Sequence, residues 1–315
     1  MSVTFSGAFT FTGGGFTATL APTGNTAGWY QAGYTPADVV SLVDRITYAT
    51  DTATASVRGP LSLTRYAGAG TGTSTYGWNG GGTVPGVGAT SLIDRITYAT
   101  DTAIATARGP LNKIISLEAA TGSTTNGYFG GGFNPNDSVV QRITYATDTN
   151  TASVVGPLSV ARRSLAAVTS ATGGYFAGGT DGSTYSTIDC ITYTTDTATA
   201  SVRGPLSTAR QGLAGVSDGT TYGWFGGGYV GPRTSLVDRI TYATDTATAS
   251  VRGPLSTVID AGAATGDTTY GWFGGGVPLS TVVNRITYAT DTATATQRGP
   301  LSLARYNLAG TSGQQ

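Results

Sequence analysis

Apolar and polar residues alternate in two short segments that recur along the chain. In the segment RITYAT, Ile46 and Tyr48 alternate with Arg45 and Thr47. In the segment TATASV, residues 52–57, every second residue is Ala or Val. A period of two is typical of β-strands that bury one face, so both segments are predicted to be strands.

A tight turn is predicted between these two strands, around Asp51, because an aspartate side chain can hydrogen-bond its own backbone there. With a four-residue loop, Tyr48 lies opposite Ala55 and Ile46 lies opposite Val57. We expect this register because it collects the apolar side chains on one face, whereas a shift by one residue would scatter them.

The same unit occurs six times. The copies are 46 to 50 residues apart, and repeats of about this length are typical of propellers and solenoids. Each unit contains an AR..LA segment, a YGWFGGG segment and the two strands described above, or edited copies of them, all with strand-like composition. The sequence therefore predicts an all-β fold, a six-bladed β-propeller with four antiparallel strands per blade. The aspartate of the TYATDT motif marks each copy, at Asp51, Asp101, Asp148, Asp196, Asp245 and Asp291.

The two ends of the repeat region predict how the ring closes. Residues 303–311 look like a first strand with no second strand after it, whereas the chain from Ala27 begins with a second strand. We expect residues 303–311 to complete the blade formed by residues 27–61, and residues 15–22 are an alternative for the same place. The predicted organisation is an N-terminal attachment arm at residues 1–15 and one propeller at residues 16–315.

The order of these motifs resembles the kelch repeat. In kelch blades the second strand ends in a Gly pair after an aromatic residue, which matches WFGGG at residues 224–228 and 272–276. The third strand of kelch blades carries a Tyr, which matches Tyr48 and its five equivalents. Kelch blades usually carry a Trp on the fourth strand, where this chain has Ala or Val. The resemblance implies a kelch-type propeller whose core relies on the tyrosines and the second-strand aromatic residues.

The Gly triplets are expected to let the inner strands approach the narrow axis of the propeller, since glycine has no side chain. A phosphate-binding loop is the alternative interpretation. That kind of loop needs a following helix and usually a Lys, and neither is predicted after these triplets.

Charged residues also recur at fixed positions. Asp44, Arg45 and Arg58 have equivalents in most units, and in the third unit Gln141 and Val155 replace the Asp and the second Arg together. This joint replacement indicates an Asp–Arg contact on the outer strands. We expect these charges to be solvated and to keep blade edges from pairing with other chains.

The marker aspartates are expected to cap their turns, because each stands alone in its turn and no second acid accompanies it. Asp137 and Asp181 have oxygen-bearing neighbours, but their spacing matches no calcium-binding loop. Cys190 replaces an Arg on the third strand, and we interpret it as a drifted position. We therefore expect no catalytic residue, no metal and no cofactor.

Composition narrows the classes of function further. The 315 residues include no histidine, which excludes His-based triads and most zinc and copper sites. Only 11% of residues are charged, the net charge is zero, and no basic run indicates nucleic-acid binding. A single cysteine excludes an internal disulfide, and no apolar segment predicts a transmembrane helix. The N-terminus lacks the features of a signal peptide. We expect neither membrane insertion, nucleic-acid binding nor enzymatic activity.

Variation among the units is concentrated in the loop between the second and third strands. Loops that differ on a rigid scaffold are where recognition usually resides, although neutral drift of tolerated surface loops is the alternative. Aromatic rings in these loops suit stacking on a sugar or anchoring of a protein partner. The candidate binding residues are Tyr34, Phe133, Tyr185, Tyr229 and Arg233.

The Thr-, Gly- and Ala-rich repeats of the form YFGGG…RITY…DT…GPLS are similar to repeats in virion proteins of marine bacteriophages, cyanophages among them. The resemblance implies a non-enzymatic structural or adhesion protein of the tail, tail fibre or capsid exterior, assembled in the host cytoplasm. Its expected partners are other virion proteins and a host-surface glycan, with several copies on each particle. A stand-alone glycan-binding propeller is the alternative function, and a kelch-fold enzyme is a third.

Overall fold

The computed structural model describes residues 10–12, 15–17 and 26–312 of the chain. In these residues the predicted fold is confirmed: six four-stranded antiparallel sheets form an all-β, six-bladed propeller. The first strands of successive blades contact one another around the axis, and the fourth strands form the outer edge. We number the blades 1 to 6 in chain order.

The strands are short, and their bounds repeat from blade to blade. An N-terminal ladder precedes the blades and consists of β1 (Thr10–Thr12) and β2 (Gly15–Thr17). Blade 1 contains β3 (Ala27–Gln31), β4 (Val43–Thr47) and β5 (Ser56–Arg58). Blade 2 contains β6 (Ala69–Gly72), β7 (Tyr76–Gly80), a small hairpin of β8 (Thr83–Val84) and β9 (Gly88–Ala89), then β10 (Ile93–Thr97) and β11 (Thr106–Ala107). Blade 3 contains β12 (Ala119–Gly122), β13 (Asn126–Gly130), β14 (Val140–Thr144) and β15 (Ser153–Val155).

The remaining blades follow the same order. Blade 4 contains β16 (Ala166–Thr169), β17 (Gly173–Ala177), β18 (Ile188–Thr192) and β19 (Ser201–Arg203). Blade 5 contains β20 (Ala214–Ser217), β21 (Tyr222–Gly226), β22 (Val237–Thr241) and β23 (Ser250–Arg252). Blade 6 contains β24 (Ala263–Gly266), β25 (Tyr270–Gly274), β26 (Val283–Thr287) and β27 (Thr296–Arg298), and the last strand is β28 (Ala309–Thr311).

Ring closure occurs as predicted from the C-terminal segment. Strand β28 pairs with β3, and the sheet of blade 1 has the order β28-β3-β4-β5. The alternative, closure by residues 15–22, is not what the described residues show, because β2 pairs with β1 instead. The boundary predicted between residues 15 and 16 falls inside that ladder, and most of the predicted arm lies outside the described residues.

The predicted register between the third and fourth strands is wrong by two residues. Asp44 pairs with Val57 and Arg45 with Ser56, so Ile46 does not lie opposite Val57. The reason is the connection: Tyr48–Thr50 forms a 3-10 turn and leaves the ladder, so the loop is longer than four residues. Val57 is consequently 57% exposed on the outer edge. Equivalent 3-10 turns occur at Tyr98–Thr100, Tyr145–Thr147, Tyr193–Thr195, Tyr242–Thr244 and Tyr288–Thr290.

The core lies between the blades and relies on the predicted aromatic residues. The second-strand aromatic ring of each blade stacks on the tyrosine of the next blade's 3-10 turn. Trp29 lies 3.8 Å from Tyr98, centroid to centroid, and Trp272 of blade 6 lies 4.1 Å from Tyr48 of blade 1. Each stack packs two large rings against each other and so fixes one blade against its neighbour.

The marker aspartates do not cap their own turns, so that prediction is wrong. The Asp101 carboxylate accepts hydrogen bonds from Trp29 Nε1 at 2.9 Å and Arg45 Nη1 at 3.2 Å, and lies 3.5 Å from Arg58 Nε. All three donors belong to the preceding blade. Asp51 receives the same kinds of contact from blade 6. These side-chain contacts join the last blade to the first, in addition to the pairing of β28 with β3.

The predicted Asp44–Arg58 contact and the predicted solvation of these charges are also wrong. Asp44 is fully buried and pairs with Arg305 at 2.9 Å, within the same blade. Arg58 pairs with the marker Asp101 of blade 2 at 3.5 Å. In blade 3 Ile115 stands at the position equivalent to Arg305. The Asp therefore has no Arg to pair with in that blade, which explains why Gln141 replaces it. The buried pairs are Arg305–Asp44, Arg65–Asp94, Arg162–Asp189 and Arg210–Asp238.

The Gly triplets lie away from the axis, so the prediction that they let the inner strands approach it is wrong. A Cβ on Gly226 would lie 2.7 Å from a ring carbon of Phe273 in the next blade. Gly227 and Gly228 have φ of 71° and 107°, a conformation that favours glycine. The triplet therefore allows blades to pack side by side and turns the chain out of the second strand.

Candidate functional site

The two faces of the propeller differ in how much the six blades vary. One face carries the short connections between first and second strands and between third and fourth strands, and we call it the turn face. The opposite face, the loop face, carries the connections between second and third strands and the segments that lead into the first strands. The loops between second and third strands are residues 32–42, 81–92, 131–139, 178–187, 227–236 and 275–282.

Among the further backbone bridges on the loop face, one kind recurs in all six blades, and we call it a rung. The residue after the Gly triplet, or after the equivalent Ala-Gly or Gly-Gly pair, pairs with a residue three before the first strand. In blade 5 the amide of Gln211 donates to the carbonyl of Tyr229 at 3.2 Å, and Tyr229 donates back at 2.8 Å. The six rungs are Tyr34–Tyr306, Thr83–Tyr66, Phe133–Ser116, Thr180–Arg163, Tyr229–Gln211 and Val277–Asp260.

The rungs surround a closed ring of backbone hydrogen bonds, the axial ring. Each residue in it donates its amide proton to the carbonyl of the equivalent residue in the preceding blade, at 2.7–2.8 Å. All six residues have φ between 51° and 67°, which is uncommon for residues other than glycine. The ring therefore fixes the backbone next to every rung. Its members are Ala67, Leu117, Ser164, Gly212, Ala261 and Asn307.

A cavity of about 320 Å³ lies at the axial ring. This volume is at the lower end of small-molecule sites, roughly 300–1,000 Å³. Four rung residues line it: Tyr306, Gln211, Asp260 and Val277. The rungs thus connect the variable loops to an axial cavity. This arrangement was not predicted from the sequence, where each loop was treated separately.

Tyr34, a predicted site residue, lies in an aromatic cluster. Its ring centroid is 5.2 Å from that of Tyr306 and 5.7 Å from that of Tyr66 in blade 2. All three tyrosines are half-buried. Burial and the two neighbouring tyrosines raise the pKa of Tyr306 above its ordinary value, so the Tyr306 hydroxyl is uncharged at neutral pH.

Phe133, also predicted, lies on the other side of the ring and is 44% exposed. The Arg163 guanidinium of blade 4 is 4.8 Å from its ring centroid, and Arg163 Nη1 donates to Asn136 Oδ1 at 2.7 Å. This contact joins the loops of blades 3 and 4. It does not bring Phe133 into the lining of the axial cavity.

The other three predicted residues occupy two different places. Tyr185 hydrogen-bonds the Asp181 carboxylate at 2.7 Å within the loop of blade 4. This bond and a backbone amide hold the pKa of Asp181 below its ordinary value. Tyr229 is a rung residue, and Arg233 lies 3.9 Å from the carboxylate of Asp260 in blade 6.

Two carboxylates that the sequence did not single out line the axial cavity. Burial raises the pKa of Glu118 well above its ordinary value, and burial also raises that of Asp260. Glu118 is 6% exposed, and neither of its oxygens forms a hydrogen bond with the described residues. Glu118 takes the place that Leu occupies in three blades, at Leu165, Leu213 and Leu308, and that substitution was the available signal.

Comparisons with known proteins concern the fold alone. No family model matches the sequence, and no curated protein matches it. Among solved structures the chain is similar to one titled "Structure of YjhT", with a TM-score of 0.66 and 13% sequence identity. The likeness covers 80% of this chain and 88% of that chain, and it supports the six-bladed propeller fold.

The described part of the chain contains no helix long and apolar enough to cross a membrane. Within the same residues, no three side chains of the metal-binding types come together. The carboxylates that recur in every blade are engaged in framework contacts. The rung side chains, by contrast, vary from blade to blade on this loop face.

Proposed function

We propose that the chain is a non-enzymatic kelch-type propeller of a bacteriophage virion, in the tail, a tail fibre or the capsid exterior. In this proposal the loop face binds the host surface. The observation that carries the binding role is the contrast between rungs and framework. The bridges of all six rungs form between backbone atoms, so each blade carries a different pair of side chains without loss of the bridge. The assignment to a virion rests on the resemblance of the repeats.

The direction of the chain at both ends of the propeller supports this orientation. The chain enters at Thr26, whose carbonyl accepts from Tyr48 at the turn face, and leaves after β28 at Ser312 on the same face. In this proposal an arm formed by residues 1–15 attaches on the same side, opposite the rungs. Attachment through the turn face would leave all six rungs directed away from the particle.

A cavity on the turn face suits such an attachment. It has a volume of about 470 Å³ and is lined mainly by Ser, Thr and Gly, including Thr73, Ser123, Ser170 and Thr220. Short hydroxyl side chains accommodate many hydrogen-bonding partners but offer little apolar area. We propose that this face contacts other virion proteins and that several copies are present on each particle.

The test uses purified particles and antibodies against the propeller. The antibodies should label wild-type particles, and deletion of residues 1–15 should abolish labelling while the purified protein keeps its β-sheet circular dichroism spectrum. A variant that lacks residues 313–315 is the matched control and should be incorporated normally. Unlabelled wild-type particles would refute the virion assignment, and normal incorporation without residues 1–15 would refute the arm.

A stand-alone glycan-binding propeller is the second candidate function. The aromatic cluster at Tyr34, Tyr66 and Tyr306 favours it, because half-buried aromatic rings at a cavity suit sugar binding. It predicts glycan binding by the purified protein without any association with particles. The two functions agree if the virion protein is itself an adhesin.

A further inference from the structure

Three tyrosines from two blades form one aromatic rim beside the axial cavity. Tyr306 lines the cavity, Tyr34 pairs with it through the rung of blade 1, and Tyr66 approaches from blade 2. The Tyr34 and Tyr66 rings meet edge to face at 75°, and the Tyr34 and Tyr306 rings are tilted by 48°. The rings therefore hold one another at fixed angles, and a ligand would meet a preformed surface.

Polar groups continue the same rim through blades 1, 6 and 5. Asn307 follows Tyr306, Asp260 lies in the neighbouring blade 6, and Gln211 lies in blade 5 beyond it. All three line the cavity, and Asp260 is held near Arg233 at 3.9 Å. One side of the rim is thus aromatic, and the adjoining side offers amide and carboxylate groups.

The charge at the cavity restricts the ligand. Glu118 and Asp260 are the charged residues that line it, and both are acids. The Arg233 guanidinium is directed to Asp260, so it does not supply a free positive charge to the cavity. An anionic ligand would therefore find no free cation at the cavity, whereas a neutral polyhydroxylated ring would find donors and acceptors on one side and aromatic carbons on the other.

We propose that this rim is a subsite for one neutral sugar ring of a surface polysaccharide. Tyr306 and Tyr34 contact the C–H face of the ring, and Gln211, Asn307 and Asp260 hydrogen-bond its hydroxyl groups. The cavity admits one sugar unit at a time, and the rest of the chain leaves across the loop face. The inference rests on the proposed function, because it identifies what the loop face recognises.

The axial ring explains why this subsite is rigid. Asn307 donates to the carbonyl of Ala261 at 2.7 Å and accepts from Ala67 at 2.8 Å, so its backbone is fixed on both sides. Tyr306 is held by two rung bonds to Tyr34, at 2.9 and 3.1 Å. Replacement of the Tyr306 side chain removes the aromatic surface and leaves these backbone bonds in place. A binding defect in such a variant would therefore report on recognition.

The experiment begins with an array of neutral, amino and anionic glycans probed with the full chain. Calorimetry with the strongest neutral oligosaccharide then compares the wild type with Tyr306→Ala and Gln211→Ala. We expect Tyr306→Ala to weaken binding about tenfold. Val87→Ala is the control, because Val87 is exposed in the loop-face hairpin of blade 2 and does not line the axial cavity. The control should bind as the wild type does.

Several outcomes would overturn the inference. Equal loss of affinity in Val87→Ala and Tyr306→Ala would place the sugar elsewhere, and preferential binding of sulfated or sialylated glycans would contradict the charge argument. Displacement of the sugar from Tyr306 by a cationic peptide with higher affinity would assign the rim to a protein partner. Retained binding in Tyr306→Ala would also reject the subsite.

Failure of this inference can be told apart from failure of the proposed function. If antibodies label particles but no neutral glycan binds, the virion assignment stands and the sugar subsite is rejected. If a neutral glycan binds through Tyr306 and particles remain unlabelled, the subsite stands and the virion assignment is rejected.

Discussion

Blade 5 and blade 6 use different side chains to connect the segment before the first strand with the third strand. In blade 5 the buried Arg210 guanidinium lies 2.7 Å from the Asp238 carboxylate. In blade 6 Ile259 and Asn284 take these two places, and Asn284 Oδ1 accepts from the amide of Ser256 at 2.9 Å. The Asn284 side chain thus accepts the same backbone hydrogen bond as the aspartate does in blade 5, where the amide of Ser207 donates to Asp238.

The difference shows that the charge pair is replaceable only as a pair. Blade 3 has made the same exchange, with Ile115 in place of Arg and Gln141 in place of Asp, and Gln141 accepts from the amide of Lys113 at 2.8 Å. A buried ion pair costs much of its attraction in lost hydration, so an apolar and amide pair can serve as well. One partner without the other would leave an uncompensated buried charge.

The largest effect is therefore expected from Arg210→Ile. This change imitates one half of blade 6 and leaves Asp238 buried with no cation. It also removes the donors to the carbonyls of Phe225 and Gly227, which accept from Arg210 at 3.0 and 2.9 Å. We expect the free energy of unfolding to fall by about 3–5 kcal/mol, measured by urea denaturation.

The matched control is the double variant Arg210→Ile with Asp238→Asn, which reproduces the residues of blade 6. It should recover most of the lost stability, because Asn keeps the acceptor for Ser207 and carries no charge. A double variant as unstable as the single one would show that blades 5 and 6 are not equivalent at this connection.

Blade 3 contains a further departure, and it gives the second prediction. Glu118 lies where Leu165, Leu213 and Leu308 pack against the turn of the preceding blade, and its Oε1 lies against Gly81 there. Burial raises the pKa of Glu118, and this effect exceeds that of nearby backbone amides and of Arg65. We expect Glu118→Leu to raise the free energy of unfolding at neutral pH by about 1–2 kcal/mol.

The pH dependence gives a second measurement on the same variant. Because the folded pKa of Glu118 is raised, the folded state retains this proton at a pH where the unfolded chain has lost it. The contribution of Glu118 to stability is therefore full below the ordinary pKa of glutamate and declines as the pH rises towards the folded value. Denaturation of Glu118→Leu should lack this decline between pH 4.5 and neutrality. An unchanged pH profile would assign the dependence to another group.

The propeller could be predicted from the sequence because each blade's alternation and repeat length are local properties. Five copies of RITYAT and one CITYTT, at intervals of 46 to 50 residues, gave the number of blades, and the segments between them gave the strand number and the closure by residues 303–311. The marker aspartates were misinterpreted because their partners lie in another unit. Asp101 contacts Trp29, 72 residues earlier, and reasoning within one unit cannot find that contact.

The candidate site could be predicted only in part, for a related reason. Tyr34 and Tyr229 were visible because they follow the glycines, but Tyr306 and Gln211 stand in the segment before the first strand. That segment was interpreted as part of the repeated framework, because Arg305 and Arg210, which recur among the units, immediately precede these two residues. Comparison of the six units at this one position would have shown the signal, because all but Tyr66 and Tyr306 differ in residue type.

The smallest effect on stability is expected from Gln211→Ala, one residue after Arg210. The rung of blade 5 uses only the amide and carbonyl groups of Gln211 and Tyr229, so truncation of the Gln211 side chain leaves both bonds intact. We expect the free energy of unfolding to change by less than about 0.5 kcal/mol in urea denaturation, while sugar affinity falls in the same variant. A loss of stability close to that of Arg210→Ile would mean that the side chain belongs to the framework. Adjacent residues with such unequal effects on stability would place the border between framework and recognition surface between Arg210 and Gln211.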